Sequence, residues 1–273
     1  MTGRRILYIT SDLFPFSSEN TISLSVLKAT KFMQTIGNDV RIFMPRFGII
    51  NERRHQLHEV IRLSGMNLMI NKIDQPLLIK VASIPDARLQ VYFIDNEEYF
   101  KRKAIYEDKN GNFFNDNDER TLFFTKGVLE TVKKLNWKPD IIHLYGWISS
   151  FIPLYIKKFY QNDPIYKNLK IVVSIYNKPF KGKLNKNIIQ KIKLDGILSK
   201  KLDILENTNY FNLIKLCMYF SDAIIKGDSI FPQEIEDYIN KNKFLVLKYC
   251  PLDKIETVYK QFYKETVLEK INE

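Results

Sequence analysis

Polar and aromatic side chains cluster where an apolar strand ends, in the stretch of residues 140–147. His143 lies inside the apolar run, and Tyr145 and Trp147 follow it before an amphipathic segment opens at Phe151. This order predicts a strand, a turn and a helix. Because open parallel sheets bind ligands at the carboxyl ends of their strands, we expect Tyr145 and Trp147 to border a site. The position of His143 within the strand favours a hydrogen-bonded core histidine over a catalytic one.

Two other segments place polar residues at the same predicted edge. A second apolar run, residues 169–175, leads directly into Tyr176 and Asn177. A loop over residues 12–20 follows the first predicted strand and precedes a predicted helix. The polar and aromatic residues at this edge that could border a cleft are Ser18, Glu19, Asn20, Tyr145, Trp147, Tyr176 and Asn177. For the loop residues the alternative is helix capping, and for the two tyrosines it is aromatic filling of a closed cleft.

The elements that must position these residues alternate between strand and helix. Residues 5–11, 21–36 and 39–45 form a predicted βαβ unit, the building block of a doubly wound sheet. Two strand-like runs, residues 77–82 and 89–94, predict a β-hairpin at the edge of that sheet. Further helices are predicted over residues 119–135, 211–220, 229–239 and 252–271, and a further strand over residues 222–226. We therefore predict a mostly parallel α/β fold in one domain, residues 1–273.

The amino-acid composition argues against a glycine-rich phosphate loop, a metal site and a membrane span. Ten glycines are few for 273 residues, since a frequency of roughly 7% would give about 19, so a glycine-rich phosphate loop is not indicated. The chain has two cysteines, Cys217 and Cys250, without metal-ligand spacing, and neither His55 nor His58 belongs to a metal-binding pattern. We predict no metal site. No run is long enough to span a membrane and no signal-peptide core follows Met1, so a cytoplasmic protein without membrane contact is expected.

A lysine-rich segment carries much of the net charge of +11. Residues 178–201 hold eight lysines against Asp195, a surplus of seven, which is the whole excess of residues 151–273. We interpret the segment as an insertion or loop, and either a solvated surface or a polyanion site remains open. The polyanion-binding candidates are Lys181, Lys183 and Lys186. Nucleic acid is disfavoured, because Phe180 is essentially the one aromatic residue available for base stacking.

Several motifs together resemble the bacterial glycogen and starch synthases. They are Val-Tyr-Phe-Ile-Asp-Asn-Glu-Glu-Tyr-Phe at residues 91–100, Asn-Asp-Glu-Arg at 117–120 and Trp-Lys-Pro-Asp-Ile-Ile-His at 137–143. The resemblance extends over nearly the whole chain and corresponds to the N-terminal half of those enzymes. It implies a single Rossmann-like lobe of a GT-B glycosyltransferase, without the C-terminal lobe. The implied activity is glucosyl transfer from ADP-glucose to an α-1,4-glucan, with ADP-glucose as donor substrate and no cofactor.

The family's working motifs are altered in this chain. Ser18, Asn20 and Thr21 stand where the family has the lysine and two glycines of Lys-x-Gly-Gly. Tyr145-Gly146-Trp147 stands at its His-Asp-Trp, and Ile175-Tyr176-Asn177 at its Ile-His-Asn. Loss of glycine keeps backbone away from phosphate, and a phenol does not titrate near neutrality as imidazole does. We therefore expect transfer to be weak or lost.

Two hypotheses about function follow. The first is an enzyme of the glycogen synthase type, working with a separately encoded second lobe. The alternative is a non-catalytic glucan-binding or regulatory protein of glycogen metabolism, with an α-glucan or maltooligosaccharide, or a regulatory protein, as partner. Under both hypotheses no residue is assigned a catalytic role.

Overall fold

The computed structural model describes residues 1–85 and 87–264. Ten strands lie within these residues: β1 (Arg5–Thr10), β2 (Asp39–Pro45), β3 (His58–Glu59), β4 (Met66–Ile70), β5 (Ile73–Ile84), β6 (Leu89–Asp95), β7 (Ile141–Tyr145), β8 (Lys170–Ile175), β9 (Ala223–Lys226) and β10 (Val246–Leu247). The α-helices there are α1 (Thr21–Thr35), α2 (Glu97–Phe100), α3 (Asn117–Lys134), α4 (Ile152–Lys158), α5 (Ile188–Leu194), α6 (Tyr210–Phe220), α7 (Gln233–Asn242) and α8 (Ile255–Phe262).

The sheet is mostly parallel, as predicted. Its order is β10-β9-β8-β7-β1-β2-β6-β5-β3, and all pairs from β10 to β6 are parallel. Strand β5 runs antiparallel to β6, which confirms the hairpin, and it also pairs with β3 and β4. The hairpin therefore lies towards one edge, with β3 outside it. The order reverses direction at β1, so the fold is doubly wound.

Helix α1 forms where hydrophobic spacing and a cap agree. Its buried residues Ile22, Val26, Ala29 and Met33 recur every three or four positions and so share one face. The Asn20 side chain caps its N-terminus. Just after the helix, the Asn38 amide donates to the carbonyl of Met33 at 2.9 Å and so fixes the entry into β2.

Side chains in the family-like motifs hold the amino ends of the central strands together. The Trp137 indole donates to Asp39 Oδ2 at 2.7 Å, which joins the loop before β7 to the start of β2. The two carboxylate oxygens of Asp140 accept from the Arg4 side chain at 3.2 Å and the backbone N–H of Arg5 at 2.8 Å. These motif residues therefore stabilise strand order, at the opposite edge from the predicted site.

The C-terminal part of the fold departs from the sequence predictions in detail. The prediction that a helix begins at residue 229 is wrong. Helix α7 begins at Gln233, and Pro232 is its N-cap, with a ψ of 145° that is not helical. A residue that precedes proline is disfavoured in helical conformation, so residues 229–231 stay outside the helix. Strand β10 is too short for a sequence pattern to reveal. The predicted final helix begins as a 3₁₀ turn at Leu252–Lys254 and continues as α8, while residues 265–271 of that prediction lie outside the described residues.

Candidate functional site

The carboxyl ends of three adjacent strands meet at the predicted edge. Thr10 of β1 is paired with Tyr145 of β7, which is paired in turn with Ser174 of β8. The chain continues from these strands into Ser11, Gly146 and Tyr176, so three loops converge on one region. This juxtaposition is the one predicted from the sequence.

A cavity of about 290 Å³ lies among these loops. Its walls are largely aromatic, with two carboxylates and one amine at the rim. The residues that line it are Ser11, Asp12, Asn20, Ile22, Tyr106, Glu107, Gly146, Trp147, Ser150, Val173, Ser174, Tyr176, Lys178, Pro179, Phe180, Tyr210 and Ile214. Of the seven candidate cleft residues, the structure brings Asn20, Trp147 and Tyr176 into this lining. The volume lies at the lower limit for small-molecule pockets.

Asn20 serves both the helix and the cavity wall. Its side-chain oxygen accepts from the backbone N–H groups of Ile22 and Ser23 at 2.9 and 3.0 Å, so it is the N-cap of α1. Its amide nitrogen donates to Asp12 Oδ1 at 3.1 Å, and Ser11 Oγ donates to Asp12 Oδ2 at 2.5 Å. The N-terminal amides that could hold a phosphate are thus occupied by the cap, and a fixed carboxylate stands beside them.

Ser18 and Glu19 lie away from the cavity. Both side chains are exposed, and neither residue is part of the lining. The carbonyl of Ser18 accepts from the Ser23 hydroxyl at 3.0 Å, which completes the turn into α1. Ser18 therefore supports the helix start through its backbone, and Glu19 is an exposed residue of the same turn.

Tyr145 belongs to the core beneath the cavity. It is fully buried, and its hydroxyl lies 3.2 Å from His143 Nδ1. His143 is itself fully buried: its Nδ1 also bonds the Tyr263 hydroxyl, and its Nε2 lies 2.7 Å from Ser174 Oγ. Burial lowers the pKa of His143 well below its ordinary value and raises that of Tyr145. The neutral, fully hydrogen-bonded histidine matches the predicted core role.

Trp147 forms one aromatic wall. Its ring centroid lies 4.4 Å from that of Tyr106 and 4.9 Å from that of Phe180, and its side chain is largely buried. Gly146 before it has a φ of +77°, and a Cβ there would lie 2.2 Å from Ser11 Oγ. The family's aspartate would therefore not fit at position 146 unless Ser11 moved.

Tyr176 lies in the opposite wall, in a slot made by Gly227. A Cβ on Gly227 would lie 2.3 Å from the Tyr176 ring. The hydroxyls of Tyr176 and Tyr106, which line the same cavity, are buried and form no hydrogen bond of regular geometry among the described residues; Ser25 interacts with the first and Ser11 with the second. Burial raises the pKa of both phenols, so both are neutral donors. Because both hydroxyls are closed off from solvent, a ligand could bond them only after a small movement of the cavity wall.

Asn177 points away from this arrangement. Its side chain is exposed and outside the lining, and its backbone N–H donates to Asp228 Oδ2 at 2.7 Å. Tyr176 and Asn177 are neighbours in sequence, but only Tyr176 lines the cavity.

The lysine-rich segment divides into exposed and buried parts. Lys181, Lys183 and Lys186 are exposed, whereas Lys178 borders the cavity. Lys191 lies in helix α5 within the segment and is buried, with its amine 2.6 Å from Asp118 and 2.8 Å from Glu119. The segment is therefore not a loop throughout, because an ion pair docks α5 on the start of α3.

Sequence reasoning missed several residues that border the cavity. Asp12 lies two residues after the end of β1, a position at which strand-end polarity could have indicated it. Tyr106 and Glu107 come from the loop between α2 and α3, which an isolated bridge between Glu107 and Phe113 folds back towards the cavity. No local pattern connects that loop with the strand ends.

Neither a cluster of metal-binding side chains nor a membrane-spanning helix occurs among the described residues. Across residues 1–85 and 87–264, no group of three or more His, Cys, Asp or Glu side chains could hold a metal ion. Over the same ranges, no helix is long and apolar enough to cross a membrane.

The sheet order and the site at its switch point define a Rossmann-like lobe. Comparison with solved structures agrees: the catalytic domain of starch synthase IV from Arabidopsis thaliana, bound to ADP and acarbose, superposes with a TM-score of 0.70 at 17% identity, covering 91% of this chain and 52% of that one. The predicted single lobe of the GT-B type is thereby confirmed.

Sequence comparison identifies the family. The model of the starch synthase catalytic domain matches residues 5–242, so the chain belongs to the glycogen and starch synthase family. The glycogen synthase of Chlorobium luteolum is 32% identical over 234 residues, which are 85% of this chain and 48% of that protein. That of Chlorobium phaeobacteroides is 35% identical over 196 residues, 71% of this chain and 40% of the other. The chain thus spans about half the length of these relatives or less.

Proposed function

We propose that this chain is a glucan-binding member of the family that does not itself transfer glucose. It would hold a short α-1,4-glucan in the cavity at the carboxyl ends of β1, β7 and β8, and it would act in glycogen metabolism in the cytoplasm. The observation that carries this proposal is the cavity lining at these strand ends, where the aromatic rings of Trp147, Phe180 and Tyr210 lie together with the carboxylates of Asp12 and Glu107.

The chemistry of the lining suits a neutral polyol. Sugars present apolar faces and many hydroxyls, so aromatic walls such as Trp147 and Phe180 complement the faces. The carboxylate of Asp12 accepts hydrogen bonds from hydroxyls, and the phenols of Tyr106 and Tyr176 can donate. The starch synthase IV structure was bound to acarbose, which supports an oligosaccharide as the class of ligand.

The electrostatics of the rim argue against an anionic donor. Asp12 and Glu107 place two negative charges on the lining, and Lys178 places one positive charge. The capped N-terminus of α1 leaves the amides of Ile22 and Ser23 bonded to Asn20. Stabilisation of a departing diphosphate needs preorganised positive groups, and this surface supplies few.

Titration calorimetry with maltotriose tests the binding. We expect wild-type protein to bind and Tyr106→Phe to bind about fivefold to tenfold more weakly, because one hydrogen bond contributes about 1 kcal/mol. Tyr249→Phe is the matched control, since Tyr249 is exposed and lies outside the cavity lining. No heat with wild-type protein, or equal binding by both variants, would refute glucan binding.

A second assay tests the loss of transfer. Purified chain is incubated with labelled ADP-glucose and glycogen, and incorporation into glycogen is counted. We expect none above background. Robust incorporation by the chain alone would show that it is a transferase, and incorporation only after addition of a second protein would indicate a separate lobe.

A further inference from the structure

A second cavity lies at the opposite, amino edge of the sheet. It has a volume of about 420 Å³ and is lined by Gly3, Arg5, Lys138, Pro139, Asp140, Lys167 and Asn168. A neighbouring cavity shares Lys167 and Asn168 and adds Lys157, Lys170 and Asp222 among others. We call the two together the amino-edge groove.

The acidic groups of the groove are already neutralised. Asp140 accepts from the Arg4 side chain at 3.2 Å, and Asp222 accepts from Lys157 at 3.1 Å. The second oxygen of each carboxylate accepts a backbone N–H, from Arg5 and Ile171 respectively, both at 2.8 Å. Neither carboxylate is therefore left to balance another cation.

The remaining cations have no counter-charge in the part of the chain that the structure describes. No side-chain ion pair or hydrogen bond is formed there by Arg5, Lys138, Lys167 or Lys170. Four positive charges thus converge on a groove of small-molecule size. Unpaired cations lining a concavity raise the local concentration of anions.

We propose that the amino-edge groove binds a small ligand carrying two or more phosphate groups. A single phosphate would leave most of the four charges unmatched, whereas a chain of phosphates can face several at once. This inference is independent of the proposed function, because the groove and the sugar cavity share no residue.

Tripolyphosphate titrated calorimetrically at 50 mM and 200 mM salt is the test. The variant Lys138→Gln/Lys167→Gln removes two exposed charges without removing an internal contact, and we expect at least tenfold weaker binding. Wild-type affinity should also fall steeply with salt, as expected for several phosphate contacts. The matched control is Lys103→Gln/Lys109→Gln, which removes two exposed charges outside both cavities of the groove and should weaken binding less than twofold.

Several outcomes would overturn the proposal. These are no binding by wild-type protein at 50 mM salt, equal weakening in the two double variants, and orthophosphate binding as tightly as tripolyphosphate. Displacement of tripolyphosphate by an unstructured RNA at much lower phosphate concentration would assign the groove to nucleic acid instead. Thermal melting of both variants within about 2 °C of wild type checks that each is folded.

Discussion

Two tyrosines stand at the ends of adjacent strands, and the structure uses them differently. Tyr145 ends β7, is fully buried and shares a hydrogen-bond network with His143. Tyr176 follows β8, lines the cavity and has a hydroxyl that forms no hydrogen bond of regular geometry among the described residues. From the resemblance, we predict that both stand where the family's motifs carry histidine.

The comparison shows that tyrosines at the ends of two adjacent strands have different structural roles. At Tyr145 the phenol completes a core network and so contributes to stability. At Tyr176 the ring shapes a cavity wall while its buried hydroxyl forms no hydrogen bond of regular geometry, which suits ligand binding better than stability. Changes at the two positions should therefore separate folding from binding.

The largest effect is expected for truncation of the core tyrosine. Tyr145→Ala should lower the free energy of unfolding by about 3–5 kcal/mol, because a buried aromatic ring is replaced by a void. Tyr176→Ala should cost about 2 kcal/mol, since the space it leaves joins an existing cavity that water can enter. Urea denaturation of both variants measures this, and equal losses would break the distinction between the two positions.

The slot under Tyr176 gives the next effect. Gly227→Ala should destabilise by about 2–3 kcal/mol, because the added methyl overlaps the ring. In the Tyr176→Ala background the same change should cost less than about 1 kcal/mol, as expected for coupled neighbours. An undiminished cost in that background would mean that the ring is not what requires glycine.

The pH dependence of folding stability tests whether His143, the hydrogen-bond partner of Tyr145, is buried in its neutral form. Burial lowers the pKa of His143 in the folded state below its ordinary 6.5. The unfolded chain therefore binds the proton first, and stability falls as pH drops below about 6.5, by about 1.4 kcal/mol per pH unit. We expect wild-type protein to lose about 1 kcal/mol more than His143→Gln between pH 6.5 and 5.5 in urea denaturation, since the histidine of the unfolded chain is already half protonated at pH 6.5. Parallel losses in the two proteins would contradict a buried neutral histidine.

Sequence reasoning recovered the scaffold better than the site. The βαβ order, the hairpin and the cap at Asn20 follow from local spacing and capping chemistry, which act over a few residues. The different surroundings of Tyr145 and Tyr176 depend on Tyr263, which follows α8 and bonds His143, and on Gly227 beside β9. Tyr106 reaches the cavity from a loop far away in the chain. Such contacts arise only when distant segments pack, so no motif at either tyrosine could indicate them.

The smallest effects are expected when each tyrosine is replaced by phenylalanine, which removes only the hydroxyl group. Tyr145→Phe should lower stability by about 1 kcal/mol, because it deletes a buried hydrogen bond to His143. Tyr176→Phe should leave stability unchanged or raise it by up to about 1 kcal/mol, since burying a hydroxyl without a regular hydrogen bond is costly. Maltotriose binding should show the reverse order, weakened in Tyr176→Phe and unaffected in Tyr145→Phe. If Tyr176→Phe instead destabilises the protein and binds maltotriose normally, its hydroxyl belongs to the fold and the cavity does not use it.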